Sequence, residues 1–496
     1  MDELLHGRHK IITSCLPLQM QQPGFIGNTL NRVTLPAELN KALMIHGKNR
    51  AEMHRLLDIY KNRQDIMKRS GDDRLVNNLV SIPYPNAFTR QIVGYTYPNG
   101  IQLVQHKAEN RADVETVNRF LQAENKIAFD KIMADEQSIY GTHFRAVFPD
   151  TIAADESPIE IYAMDVFDTF VAYSAYNGNR PVYAWNCFKV KLLTGEEVYI
   201  HQIYTAYEKF TYRSFSNLCV QDTDLVSEQP HILGEIPIIE YPNNEFRLGD
   251  WELAISLFNA INGLASDSVN DVAQTVMSYL ALFGVDPDTT DIAKAKKDRI
   301  LVFKGESGIN QDAKFITAQI DGASANLLRA YLEDATRLVC GIPDRNSSGG
   351  GDTGEAINAK NGWREIDTVA KTKTMYTEMA ERRFLKIVLN ILSPKYISSA
   401  ISPLDIDVKI PRNKDENLQT KVQAGQIMDT MGFDEADTVE HMDITGDVQG
   451  LATRWQEAKK KRAAQQIKAG ASSKSKATSE QDPPSEGDPN NPEDAL

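Results

Sequence analysis

The stretch WELAISLFNAINGLASDSVNDVAQTVMSYLALF, residues 251–283, decides how the rest of the chain is read. Its apolar residues fall at 251, 254/255, 258, 261, 265, 269, 272, 276, 280 and 283. Alternating steps of three and four predict one long amphipathic helix, roughly 50 Å if continuous, with Gly263 as a place where it bends. The polar side holds Asn259, Asn262, Asp267, Asn270, Asp271 and Gln274, and no Lys or Arg occurs between Arg247 and Lys294. With 54 Lys and Arg in 496 residues, about five are expected across those 46 positions. A helix with one apolar face and one mildly acidic face suits a wall past which a polyanion moves without sticking.

Upstream, residues 142–241 change to a strand pattern. Segments 144–148, 159–163, 169–173, 182–190, 198–207 and 236–241 are short, β-branched or aromatic, and bounded by turn residues. They predict an antiparallel α+β region. Before them, 51–69 and 115–138 read as helices, Pro98-Asn-Gly100 marks a turn between apolar runs, and residues 1–50 read as irregular. Downstream, 284–322 reads as a compact insert with strands at 300–303 and 314–317. A second helix follows at 324–340, stopped by Gly341 and Pro343, then a glycine loop at 344–354 and a third helix at 355–392. A strand at 406–410 and helices at 418–431, 435–441 and 448–467 follow. From residue 469 the composition predicts a disordered tail.

The length allows two to four structural regions, with 42% hydrophobic and 25% charged residues. The net charge of −14 argues against a high-affinity, site-specific DNA binder, which needs a basic surface for phosphates. It leaves room for a protein that handles DNA without gripping it. Cys15, Cys187, Cys219 and Cys340 have no close spacing, so neither a disulfide framework nor a zinc site is expected. The N-terminus has no apolar signal core, and no apolar run in the central helix approaches the ~20 residues that span a bilayer. The expectation is a non-secreted protein without a membrane partner.

The glycine loop, Asp344-Arg-Asn-Ser-Ser-Gly-Gly-Gly-Asp-Thr-Gly354, lacks the Lys-Ser/Thr of a P-loop, and Glu355 follows it where phosphate would be repelled. Nucleotide binding is rejected. The loop is either a solvent-exposed linker or a mobile loop that touches moving cargo. His6 and His9 have no accompanying Glu, and no nucleophile–base spacing or acid pair stands out, so neither cofactor, metal nor catalytic site is expected. Asp267 and Asp271, four apart, are either a solvated face or part of a ring of negative charge repeated by symmetry. Lys459-Lys-Lys-Arg462 is either a solvated helix end or a contact for phosphate or an acidic partner.

The order helix, insert, helix, glycine loop, helix resembles the portal proteins of tailed double-stranded DNA bacteriophages, of the siphovirus type. Ile59-Tyr60-Lys-Asn-Arg-Gln-Asp-Ile-Met-Lys-Arg69 looks like the family's early helix, and Asn77-Asn78 with Ile92-Val93…Tyr97-Pro-Asn-Gly100 resembles the stretch after it. His231-Ile-Leu-Gly-Glu-Ile-Pro-Ile-Ile-Glu-Tyr241-Pro-Asn-Asn244 is similar to the lead-in to the first stem helix, and residues 348–357 to the loop after the second. The resemblance covers roughly residues 50–455; the triple glycine and the acidity of the loop depart from it.

The resemblance implies an α+β portal fold built as a ring, with wing, two-helix stem, small α/β clip, tunnel loop and helical crown. On this chain the parts would be an N-terminal arm at 1–50, wing at 51–248, first stem helix at 249–283 and clip at 284–322. The second stem helix would lie at 323–343, the tunnel loop at 344–354, a long wing and tunnel helix at 355–394, the crown at 395–467 and the tail at 468–496. It implies a homo-oligomer of generally twelve subunits at one capsid vertex of the virion, formed in the host cytoplasm, through which double-stranded DNA is packaged and ejected. The large terminase, which hydrolyses the ATP, the major capsid protein and scaffold, and a head–tail adaptor are the implied partners. Arg345, Asn346, Ser347, Ser348 and Asp352 would face the DNA from the loop. Asp267, Asn270, Asp271 and Gln274 would line the channel. The competing readings are a nuclease or ATPase of the packaging machinery, which needs clustered acids or a P-loop, and a non-portal head–tail structural protein.

Overall fold

A computed structural model describes residues 12–13, 32, 35–70, 77–106, 108–150, 156–174, 180–276, 279–283, 300–303, 312–316, 322–343, 363–393, 395–398, 401–412, 418–442 and 448–477. The chain divides into one unit of residues 1–103 and 112–414 and a second of residues 104–111 and 415–496.

In the first unit, strand β1 (Ile12–Thr13) precedes helices α1 (Leu35–Tyr60) and α2 (Tyr84–Thr96), strand β2 (Gln102–Gln105), and helices α3 (Arg111–Ala123) and α4 (Lys126–Tyr140). Eight strands follow: β3 (Thr142–Pro149), β4 (Ile159–Met164), β5 (Thr169–Ser174), β6 (Pro181–Lys191), β7 (Glu197–Tyr204), β8 (Glu208–Ser214), β9 (Leu225–Pro230) and β10 (Ile238–Pro242). They form a six-stranded sheet, β1-β5-β6-β7-β8-β9, and a three-stranded sheet, β10-β3-β4. All pairings are antiparallel except β1 with β5. The mixed helix and sheet content is that of an α+β protein.

Several local readings change. Residues 35–50, expected to be irregular, are the first turns of α1, whose Leu35, Leu39, Leu43, Met53, Leu56 and Ile59 all point into the core around Phe170 and Trp185. The single helix expected at 115–138 is two, because Asn125 adopts a left-handed φ of 55° between α3 and α4. The apolar run before Pro98-Asn-Gly100 is helix α2; Pro85 in its first turn has a φ already suited to a helix. The strand expected at 198–207 turns at Tyr204, and β8 and β9 continue the sheet beyond it.

The decisive stretch is also divided. Helix α5 covers Ile255–Val276, 22 residues or about 33 Å, after a short 3-10 turn at Glu252–Ala254. Strand β11 (Tyr279–Phe283), expected as the end of that helix, is instead the middle of a three-stranded sheet. It pairs parallel with β12 (Ile300–Phe303) and antiparallel with β13 (Asp312–Ile316). Its five consecutive apolar residues fit a central strand as well as a helix, so periodicity does not separate the two. Helix α6 (Gly322–Cys340) returns beside α5, and α7 (Trp363–Leu392) follows. Ala380, Phe384, Leu385, Ile387, Val388 and Leu392 of α7 enter a second core with Val147, Ile159 and Tyr241. Strand β14 (Ile406–Lys409) comes last.

The second unit contains α8 (Leu418–Met431), α9 (Glu435–Met442) and α10 (Val448–Ala477), closed around Val439, Met442 and Ala452. A Cβ at Gly425 would lie 2.1 Å from the Met442 sulfur, so a larger residue there requires the Met442 side chain to move. Helix α10 runs past residue 469, where the disordered tail was expected to begin, to Ala477.

Candidate channel wall

Helix α5 is anchored at its start by a hinge of amides. The end of β10 leads into Asn243 and Asn244, whose side-chain N–H groups both donate to the Leu248 carbonyl, at 2.9 and 2.8 Å. The Asn244 oxygen accepts from the backbone N–H of Phe246 and Leu248, and Asn243 also donates to Asp250 at 2.8 Å. The Asn-Asn of the sequence therefore ties a tight loop between sheet and helix. Arg247 sits in this loop at φ 58° and holds Glu240 through two bonds, at 2.5 and 2.9 Å. Burial pushes the Glu240 pKa up, but the Arg247 charge and the bonds from Arg247, Tyr173 and Thr142 outweigh it and hold the carboxyl below its usual range. Gly141, at φ 74°, lies against the loop; a Cβ there would be 2.0 Å from the Arg247 carbonyl oxygen.

Beyond the hinge, α5 presents Asn262, Ser266 and Asn270 to the extended segment 77–82. The Asn262 oxygen accepts from Ile82 N–H at 2.9 Å, the Ser266 hydroxyl from Val80 N–H at 2.9 Å, and the Asn270 oxygen from Asn78 N–H at 2.6 Å. Asn270 also donates to the Asn78 carbonyl at 3.2 Å. Four helical residues rise about 6 Å and two extended residues about 6.6 Å, which is why steps of four on one element meet steps of two on the other. Gln64 closes the ladder: it accepts from the Asn262 amide at 2.5 Å and donates to the Ile82 carbonyl at 2.7 Å.

Of the residues expected to line a channel, Asn270 is 8% exposed in the subunit, with its amide committed to Asn78. Asp267 is about half exposed and receives the Arg69 guanidinium at 2.9 Å. The face without bases in sequence thus acquires one from 198 residues away. At such exposure the pair is worth about 0–1 kcal/mol. Asp271 is half-buried on the next turn, and Gln274 lies on the helix, its side chain outside the described residues. The loop residues Arg345, Asn346, Ser347, Ser348 and Asp352 lie outside the described residues.

The helix pair exposes apolar surface. Leu327 (75%), Tyr331 (68%) and Leu338 (77%) of α6 fall within about 40° of one another around the axis. Val269 and Val272 of α5 are 43% and 61% exposed.

A buried charge cluster fixes α7 to the sheet. Arg145 contacts Asp130 at 2.8 Å and Glu381 at 3.5 Å, and Lys126 contacts the same two acids at 3.0 and 2.7 Å. Two positive and two negative groups, all 5% exposed or less, compensate one another away from water. Lys373 of α7 reaches Asp250 at the hinge at 2.9 Å. Sequence reading missed Gln64, Arg69 and Lys373 as partners of α5 and its hinge. The family-like stretches 59–69, 77–78 and 231–244 carry the signal, since each supplies a group that holds the helix.

The chain is thus an α+β subunit with a helix pair set on an amide hinge, a small sheet between the helices and a long helix beyond. The sequence profile of the family described as phage portal protein, SPP1 Gp6-like, matches residues 40–466, and the chain belongs to that family. No curated protein matches the chain in a sequence search. The family is structural rather than enzymatic, and membership implies an oligomer working with other phage head proteins at a capsid vertex. Among the described residues no helix is long and apolar enough to cross a membrane.

Proposed function

We propose that this portal protein closes into a ring, of twelve subunits as is general for the family it resembles, with α5 and α6 as the stem around an axial DNA channel. The observation that carries the reading is the pairing on one helix hairpin of an exposed apolar stripe and a base-poor acidic face. The stripe would pack against the neighbouring subunit, while Asp267, Asp271 and Gln274 would turn toward the axis. Few cations on the wall means few phosphate contacts, which is what a conduit for a moving polyanion requires.

In this arrangement residues 284–322 form the clip that docks the terminase motor and later a head–tail adaptor. Arg345, Asn346, Ser347, Ser348 and Asp352 form the loop that touches DNA, and the second unit forms the crown. Packaging and ejection of double-stranded DNA use the same channel, and capsid protein and scaffold meet the outside of the ring during assembly in the host cytoplasm. The mass of the purified particle tests this: twelve chains of 55.5 kDa give 666 kDa. A monomer or an open polymer of undefined mass contradicts it.

A further inference from the structure

Helix α10 carries eight Lys and Arg against one acid, Glu457, a net +7 in a chain whose net charge is −14. The other residues together therefore carry −21. The structure sorts the basic run Lys459–Arg462 into two kinds. Lys459 is spent inside its own unit: it pairs with Asp429, lies 3.2 Å from Glu435 and sits over the Trp455 ring. Lys460, Lys461 and Arg462 are exposed and spread over about 200° of the helix surface. Arg454, Lys461 and Lys468 recur every seven residues, about 10 Å apart along the axis. This is a rod with bases on several sides, not a helix end with one stray cluster.

Duplex DNA presents a phosphate about every 1.7 Å along its axis, and a basic rod binds it without reading bases. We propose that the basic surface of α10, centred on Lys460, Lys461 and Arg462, is a sequence-independent binding surface for the DNA phosphate backbone. The proposal rests on the portal reading and adds a place in the subunit where DNA is held rather than let slide. Residues 478–496, which follow directly, carry six acids and no base. Repetition around a ring turns a weak contact per subunit into a measurable one.

The test uses the assembled full-length protein, a fluorescent duplex and anisotropy titrations at several salt concentrations. Removing one base that neutralises a phosphate lowers the slope of log affinity against log salt by about 0.9. The triple variant K460Q/K461Q/R462Q is expected to lower it by about 2.7 and to weaken binding at least tenfold at low salt. Equal slopes for parent and triple variant overturn the site, as does binding of polyglutamate in preference to duplex. Electron micrographs of the same samples keep the two readings apart. Particles that are not rings contradict the portal arrangement, whereas intact rings with an unmoved slope contradict only this inference.

Discussion

Replacing Asn262 by alanine removes the most buried rung of the ladder between α5 and segment 77–82. Asn262 is fully buried and Gln64 is 1% exposed. The substitution leaves two groups without their partners, the Ile82 N–H, 2.9 Å from the amide oxygen, and the Gln64 oxygen, 2.5 Å from the amide nitrogen. The buried Gln64 oxygen costs about 1–3 kcal/mol and the half-buried Ile82 N–H about 1 kcal/mol, so the loss is about 2–4 kcal/mol. Ser266→Ala loses the bond accepted from half-buried Val80 and the hydroxyl's own donation to the Asn262 carbonyl at 2.7 Å, about 1–2 kcal/mol. Asn270→Ala costs a similar amount, because Asn78 is exposed and water takes the place of the amide. The expected order is Asn262 well above Ser266 and Asn270, a gradient that falls with distance from the hinge.

The assay is hydrogen exchange read residue by residue by mass spectrometry with electron-transfer fragmentation. The ladder protects the N–H groups of Asn78, Val80 and Ile82 and not those of Leu79 and Ser81, so protection alternates along the segment. Asn262→Ala is expected to speed exchange at Ile82 by at least tenfold, since every 1.4 kcal/mol is a factor of ten. Uniform exchange from 78 to 82 in the parent protein, or no change at Ile82 in the variant, would refute the reasoning.

Three further outcomes follow from the hinge and the core. Gly141→Ala forces a Cβ to 2.0 Å from the Arg247 carbonyl at a φ of 74°, and is expected to cost more than about 3 kcal/mol, seen as a large drop in melting temperature. Lys373→Met leaves the buried Asp250 with the Asn243 amide but no opposite charge and is expected to cost about 3–5 kcal/mol, while the double variant with Asp250→Asn costs clearly less than the two singles added; denaturant titrations read the coupling. Burial, opposed by the Phe167 carbonyl, lowers the His46 pKa from 6.5 to about 4. The unfolded chain therefore binds the extra proton between those values, and stability falls by about 3 kcal/mol as pH drops from 6.5 to 4. His143, His201 and His231, also lowered by burial, act in the same direction. Asp130 and Glu240, held below their usual range, add losses at still lower pH. His46→Phe is expected to flatten the first part of this profile in calorimetry.

The strands of the wing-like region were legible because each is a short β-branched or aromatic run between turn residues. Helix α5 was legible for its first 22 residues and misread afterwards, because Leu280 and Phe283 extend its spacing while belonging to a central strand. The base-free property of residues 251–283 was true of the sequence and incomplete in space, since Arg69 arrives from a distant segment. Asn262, Ser266 and Asn270 stood four apart in plain view. Their spacing gave no hint of a partner, because an extended segment 180–192 residues away supplies it. Periodicity and charge along a chain report the element itself; what the element touches depends on contacts that close only in the fold.

The claim that α5 forms the channel wall is tested most directly by an electron cryomicroscopy reconstruction of the assembled particle at a resolution that shows side chains. The account predicts a closed ring in which Asp267, Asp271 and Gln274 face the lumen and Leu327, Tyr331 and Leu338 lie between subunits. A ring in which the two aspartates are buried between neighbours, with the leucines toward the axis, would contradict it.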